Sequence, residues 1–268
     1  MRTDREFLRD LAYGTAVADA MGVPFEFKPR GTFKCTGMTG HGTYNMPVGT
    51  FSDDTSLTLA TIDSVLHMGC VDVGDMRACF EHWLINGLYT PDGYAFDKGN
   101  TTKRAIMEGR GFGGEFDSGN GSLMRIAPLA ATDCTDREVG DVSAITHSND
   151  LCKELCVSFV KLLRTVHHEP QRAHNLVTDG GLSERDVLSG GYIVDTYNAA
   201  LWCFATTDSY RECVLRAVNL GDDTDTVGAV AGALAAACYG YSDIPAEWIE
   251  KLRAKELIDD VLAGNAQF

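Results

Sequence analysis

Three carboxylates fall within four positions of the segment Gly221-Asp222-Asp223-Thr224-Asp225-Thr226. Carboxylates this close repel one another unless a hard cation neutralises them, and the chemistry asks for Mg, Mn or Ca. The helical pattern that follows carries Gly228, Ala231, Gly232, Ala235 and Ala236, small residues that let a helix pack closely inside a core. The acidic run therefore stands at the mouth of a buried helix and is not simply a solvated face. It does not match an EF-hand, whose loop closes on a bidentate Glu at its twelfth position.

A second acidic pair, in Ser52-Asp53-Asp54-Thr55, opens another apolar-periodic helix. One Asp there is a helix cap, favoured by the dipole at about 0.3 to 1 kcal/mol per carboxylate, whereas two adjacent ones raise a question that capping alone leaves open. Asp19 lies on the apolar face of the first helix, where a carboxylate must be paired or desolvated. Alternatively the helix frays before it and the side chain caps a backbone amide. Gly119-Asn120-Gly121-Ser122 follows Gly111, Gly113 and Gly114 and offers backbone amides of the kind that cradle phosphate. No Gly-Lys-Ser or Gly-Lys-Thr follows, so it is not a Walker sequence, and Asn-Gly equally marks a plain turn. Arg125 either assists an anion or pairs with surplus acid. His147, in Thr146-His147-Ser148, closes an amphipathic pattern, where a lone histidine ordinarily answers the helix dipole.

The elements that must position these groups are helical. Thr3 and Glu6 read as a capping box for a first helix that ends at Gly22-Val23-Pro24, with Leu8, Ala12, Thr15 and Asp19 on one face. Phe27 to Thr50 has no period and reads as a long ordered loop, of the kind that is often functional. Further helices are predicted over Asp54 to His67, Val73 to Asn86 and Thr101 to Glu108, around Val139 to Ile145 and Leu151 to Val166, and over Ile193 to Phe204, Tyr210 to Asn219, Thr226 to Tyr239 and Pro245 to Leu262. Gly109 to Ser122 is too glycine-rich to be regular, and Thr178 to Glu184 reads as a surface loop. No alternating strand pattern stands out. The fold class is all-α, with orthogonally packed helices in a single domain over 1-268.

The chain has 268 residues, of which 44% are hydrophobic and 23% charged, enough for a sizeable core. With 23 basic against 38 acidic residues the formal net charge is -15, which disfavours nucleic acid and anionic lipid as general partners. Nine cysteines with no C-x-x-C pair read as reduced, mostly buried thiols rather than a disulfide or zinc framework. The charged start has no apolar h-region, and no stretch reaches the roughly 20 apolar residues of a membrane span. These features lead us to expect a cytoplasmic monomer.

Taken in order, Asp19-Ala20-Met21-Gly22-Val23-Pro24-Phe25-Glu26, Ser52-Asp53-Asp54-Thr55, Gly119-Asn120-Gly121-Ser122-Leu123-Met124-Arg125, Thr146-His147 and Gly221 to Thr226 resemble the ADP-ribosylglycohydrolase family. That family includes dinitrogenase reductase-activating glycohydrolases and the hydrolases of ADP-ribosyl-arginine and ADP-ribosyl-serine. The resemblance spans most of the chain. It implies an all-α domain holding two Mg or Mn ions through Ser52, Asp53, Asp54, Asp223, Asp225 and Thr226. Glu26 would reach the same centre as general base, with Asp53 or Asp54 sharing the role. Asp222, beside those ligands, would lie behind them or face solvent.

The resemblance also implies a diphosphate on Gly119, Asn120, Gly121 and Ser122, His147 near the adenosine-side ribose, and Asp19 and Met124 within the substrate site. The chain departs from the family pattern at Ser52, where Thr is frequent, and at Ala18, where Gly is common. The implied activity is metal-dependent release of ADP-ribose from a protein side chain or a small molecule, with an ADP-ribosylated nucleobase kept among the substrates. Two rivals are an all-α prenyl synthase, which also uses paired acidic motifs but of the D-D-x-x-D form, and a catalytically silent relative that only binds.

Overall fold

A computed structural model describes residues 1–266. Among them the chain forms twelve α-helices: α1 (Arg5–Gly22), α2 (Asp53–Met68), α3 (Val73–Asn86), α4 (Asn100–Glu108), α5 (Asp136–Ser143), α6 (Asp150–His168), α7 (Ala173–Leu176), α8 (Ile193–Ala205), α9 (Tyr210–Asn219), α10 (Thr224–Tyr239), α11 (Ala246–Lys251) and α12 (Lys255–Ala263). The only extended pairings among the described residues are isolated bridges, such as Phe112 with His147 and Gly119 with Tyr192. The all-α expectation holds.

The helices begin where side chains can satisfy their free amides. Asp4 accepts from Phe7 N at the start of α1, Ser52 from Asp54 N at α2, Asp72 from Asp75 N at α3 and Asn149 from Cys152 N at α6. The expected capping box at Thr3 and Glu6 is not formed, because Thr3 is drawn into a bridge with Thr132 and Asp4 takes the cap. A full capping box occurs instead at Thr135 and Glu138, ahead of α5.

Two boundaries differ from the periodic pattern. Pro245 to Leu262 is not one helix: Ala254 adopts φ 52° and splits α11 from α12. The break brings Arg253 N onto Gly49 O at 2.9 Å and its guanidinium onto Asp92, so a tertiary tie overrides helix propensity. The one-turn helix α7 is too short for its period to register.

The centre of the fold is α10, which is buried from Thr224 to Ala237 and packs most extensively on α1, then on α9, α8 and α6. The α1–α10 crossing is close because glycines face it. A Cβ on Gly232 would lie 2.4 Å from Gly14 O, and one on Gly14 would lie 2.3 Å from Ala236 Cβ. Backbones this near let two helices from opposite ends of the chain present their ends side by side. Six of the nine cysteines are buried and none is bonded to another. No described helix is long and apolar enough to cross a membrane.

Candidate active site

The C-terminal end of α1 and the N-terminal ends of α2 and α10 meet beneath a cleft of about 340 Å³. Thr224 Oγ1 donates to Gly22 O at 2.8 Å, which ties the start of α10 to the end of α1. Asp19 ties α1 to α2. Its Oδ1 accepts from Ser52 N at 2.9 Å, and its Oδ2 accepts from Thr55 N at 3.0 Å and Thr55 Oγ1 at 2.5 Å. Asp19 is therefore the helix cap its alternative reading described, but for α2 rather than for its own helix. It is fully buried and is absent from the cleft lining, where the resemblance would place a substrate-binding residue.

The two acidic runs converge as the sequence suggests. Asp54 Oδ2 accepts from Ser52 Oγ at 3.1 Å and from Thr226 Oγ1 at 3.3 Å, so its Oδ1 is left without a partner. Asp225 Oδ1 accepts from Thr226 N at 3.0 Å, and its Oδ2 is likewise without a partner. Glu26 Oε2 is the third such oxygen. Carboxylate oxygens of Asp19, Asp54 and Asp225 lie within 4.8 Å of one another, as do those of Glu26, Asp97 and Asp225. Asp53, Asp223, Thr226 and Glu26 line the cleft itself, while Asp54 and Asp225 are buried just beneath. Asp222 N and O both bond across to the Phe27 turn instead, at Lys28 O and Phe27 N.

Buried carboxylates without solvent or cations resist ionisation. Burial first, and then the charges of Asp97 and Asp54, hold Asp53 well above the usual range. The same holds for Asp54, with Asp19 next in effect, and for Asp225, with Glu26 next. Glu26 is pushed up to about 10, by burial and then by Asp97. Three partnerless buried carboxylate oxygens in one hollow fit divalent cations, since a hard cation takes oxygen ligands and supplies the missing charge.

Asp97 is a site residue the sequence reading does not reach. It stands in the loop before α4 with φ 47° and lines the cleft, where Tyr44 Oη donates to its Oδ1 at 2.7 Å. Neither residue belongs to a periodic segment. The one available signal is that Tyr44 falls in the long loop marked above as functional. Phe27, with φ 61°, is also at the rim.

The far side of the cleft is the glycine-rich turn. Gly119, Asn120, Gly121, Met124 and His147 line it, the five residues of this region for which the resemblance implies a place at the substrate, alongside Ser122. Ser122 does not reach the cleft: it is fully buried, and its Oγ accepts from Ser143 Oγ at 3.0 Å. His147 lies beyond the end of α5, paired by a backbone bridge with Phe112, and its backbone N donates to Ser143 O, the last residue of that helix, at 2.9 Å. Arg125 pairs with no acid. It donates to Val142 O at 3.2 Å and Thr146 Oγ1 at 2.9 Å.

The family model for ADP-ribosylglycohydrolase matches residues 2–267. The chain belongs to the ADP-ribosylglycohydrolase family. Among its relatives, an ADP-ribosylarginine hydrolase from Pseudomonas putida is 33% identical over 89% of this chain and 72% of its own length. An ADP-ribosyl-[dinitrogen reductase] glycohydrolase from Rhodospirillum rubrum is 34% identical over 90% of this chain and 88% of its own. A solved structure described as an ADP-ribosylglycohydrolase-related protein complex superposes with a TM-score of 0.78, at 29% identity and 97% coverage of both chains. Membership of the ADP-ribosylglycohydrolase family makes the chain a hydrolase of ADP-ribose glycosidic bonds, and it sets aside the prenyl synthase alternative.

Proposed function

We propose that this glycohydrolase releases ADP-ribose from ADP-ribosylated arginine, and that it does so with two divalent cations, Mg or Mn, held by Ser52, Asp53, Asp54, Asp223, Asp225 and Thr226. The observation that carries the reading is that Asp225 belongs to two close carboxylate groups, one with Asp19 and Asp54 and one with Glu26 and Asp97, in which Glu26 Oε2, Asp54 Oδ1 and Asp225 Oδ2 are buried without partners, at a cleft that the glycine-rich turn also lines. The arginine linkage is supported by relatives named as ADP-ribosylarginine hydrolases.

When bound, the cations supply Lewis acidity toward the ribose and bring the pKa of water into the physiological range. The chain's own residues do the rest. Glu26 stays protonated among uncompensated carboxylates, and positive charge in the hollow reverses that shift. The resulting carboxylate at the cleft wall takes the proton of the attacking water. Asp97, oriented by the Tyr44 hydroxyl, adds negative charge where the ribose becomes cationic as the glycosidic bond breaks. The Gly119 to Gly121 backbone and His147 hold the diphosphate end away from this acidic floor.

The test is a panel of defined substrates (ADP-ribosyl-arginine, ADP-ribosyl-serine, O-acetyl-ADP-ribose and an ADP-ribosylated nucleobase), each assayed with Mg, with Mn and with chelator. Turnover is expected with the arginine conjugate in the presence of cation. Preference for another linkage overturns the substrate, and full turnover under chelation overturns the role of the cations.

A further inference from the structure

Near the glycine-rich turn, but outside the cleft lining, lies a buried cation with no acidic ion-pair partner among the described residues. Arg125 is fully buried, and none of the ion pairs among the described residues includes it. No carboxylate contributes to its electrostatics: beyond burial, the groups that act on it are the Cys156 thiol and the Arg77 guanidinium. Its guanidinium lies over the Phe80 ring at 4.5 Å, and its Nε and Nη1 have no hydrogen-bond partner. Burial lowers its pKa only to about 10, so it is charged at neutral pH. A charge kept inside a protein without a counter-ion is costly, and among the described residues only the Phe80 ring and the hydrogen bonds of Nη2 to Val142 O and Thr146 Oγ1 offset this one. The cleft that takes a diphosphate lies one hydrogen-bonded step away.

That step is Thr146. Arg125 Nη2 donates to Thr146 Oγ1 at 2.9 Å, and Thr146 Oγ1 lies 2.9 Å from His147 Nδ1. A guanidinium has donors only, so Thr146 Oγ1 must accept from it. The hydroxyl hydrogen then has one acceptor among the described residues, the Nδ1 of His147. If Nδ1 carried the proton and donated instead, the Thr146 hydroxyl hydrogen would be left unsatisfied in a fully buried position, which is the expensive case. Nδ1 therefore accepts, and the proton sits on Nε2. That atom has no hydrogen-bond partner among the described residues and lies against the glycine turn, 3.4 Å from where a Cβ on Gly119 would stand.

We infer that Arg125 is a positioning residue which, through the Thr146 hydroxyl, fixes His147 as a neutral imidazole presenting Nε2–H to an acceptor oxygen of the bound ligand. The ligand group it fits is anionic, because the same relay carries the field of a guanidinium without an acidic partner to a cleft whose charged lining groups are otherwise four carboxylates and Lys98. Burial, and then the charge of Arg125, hold His147 down at about 3, in keeping with a donor that is never an imidazolium at neutral pH. The ligand side of the inference rests on ADP-ribose as the occupant. The tautomer does not, since it is a property of the free protein.

The experiment is nitrogen-15 NMR of histidine-labelled, ligand-free, full-length chain, with His147 assigned by comparison with His147→Gln, together with calorimetry using ADP-ribose. Wild type is expected to show the Nε2–H tautomer. Thr146→Val is expected to move His147 toward Nδ1–H and to weaken ADP-ribose binding about ten-fold, and Thr146→Ser to restore both. A residue that served packing alone would change stability without moving the tautomer. An Nδ1–H or doubly protonated His147 in wild type overturns the inference, as does a Thr146→Val protein with unchanged spectrum and affinity. Should Thr146→Val fail to fold, the wild-type and Thr146→Ser spectra decide, since both must show Nε2–H. Failure of ADP-ribose to bind a wild type that shows Nε2–H would sink the occupant and leave the relay standing.

Discussion

Asn120 Nδ2 donates to Asp223 Oδ2 at 2.8 Å and to Thr196 Oγ1 at 2.9 Å, so one amide links the glycine-rich turn to the acidic loop. A side chain that orients a ligand of a cation typically matters 10- to 100-fold for affinity or activity. Asn120→Ala should therefore weaken Mn binding by roughly 10- to 100-fold, read by calorimetry, even though the residue is not itself a ligand. Undiminished Mn affinity would show that Asp223 holds its position without the amide.

Asp54→Ala and Asp225→Ala should each lose about 1000-fold in rate, since a bound divalent ion is worth several kcal/mol of charge stabilisation. Each metal-free variant should unfold no more readily than metal-free wild type, because removing a buried carboxylate relieves repulsion. Near wild-type turnover in either variant would dismiss it as a ligand.

Glu26→Gln keeps an oxygen and the shape of the side chain but cannot take a proton at neutral pH. Its kcat should fall by about 100- to 10,000-fold with KM little changed, while ADP-ribose still binds in calorimetry. An unchanged kcat would make Glu26 structural.

Without cations the acidic hollow should make stability fall as pH rises. The folded pKa of Asp19 is about 7 against an ordinary 3.8, and that of Glu26 about 10 against 4.5. Between those values the folded state binds more protons than the unfolded one, so the stability associated with these groups is full at acid pH and is lost on raising the pH. Thermal melts under chelation should show Tm dropping from about pH 4 to about pH 7, and added Mn should raise Tm more at the upper end. A Tm that is flat or rises over this range would contradict the buried, uncompensated cluster.

Gly232→Ala places a methyl 2.4 Å from Gly14 O and 2.5 Å from Ala18 Cβ. Backbone cannot yield as a side-chain tip can, so the substitution should cost about 1 to 3 kcal/mol by denaturant unfolding. A neutral result would mean that α1 and α10 can separate freely.

The helices that carry the site are legible in the sequence because each has an apolar or small-residue period and an identifiable start. Both acidic pairs were findable because carboxylates at the mouths of buried helices conflict with their surroundings unless something is bound. Asp97 and Tyr44 offer no such conflict. They lie in irregular loops, where a carboxylate or a tyrosine is ordinary, and only the tertiary path of those loops brings them to Glu26. Asp19 illustrates the opposite failure. Its burial is readable from the face of α1, but its partners lie on a helix more than thirty positions away, and no local spacing identifies them. Ser122 was placed in the cleft by its motif, whereas the turn of the chain at Asn120–Ser122 points it inward.

The close crossing of α1 and α10 also sets a schedule for biosynthesis. Thr226 and Asp54, which share a hydrogen bond in the folded protein, are 172 positions apart. At about 5 to 20 residues per second, roughly 9 to 34 s separate their emergence from the ribosome. Over that interval α1 carries its glycine and alanine stripe with no α10 to cover it, and Asp53 and Asp54 have only half of their cluster. A nascent chain released early would thus leave α1 uncovered along this stripe and its first acidic pair without Asp223 and Asp225, until α10, in the last sixth of the chain, is made.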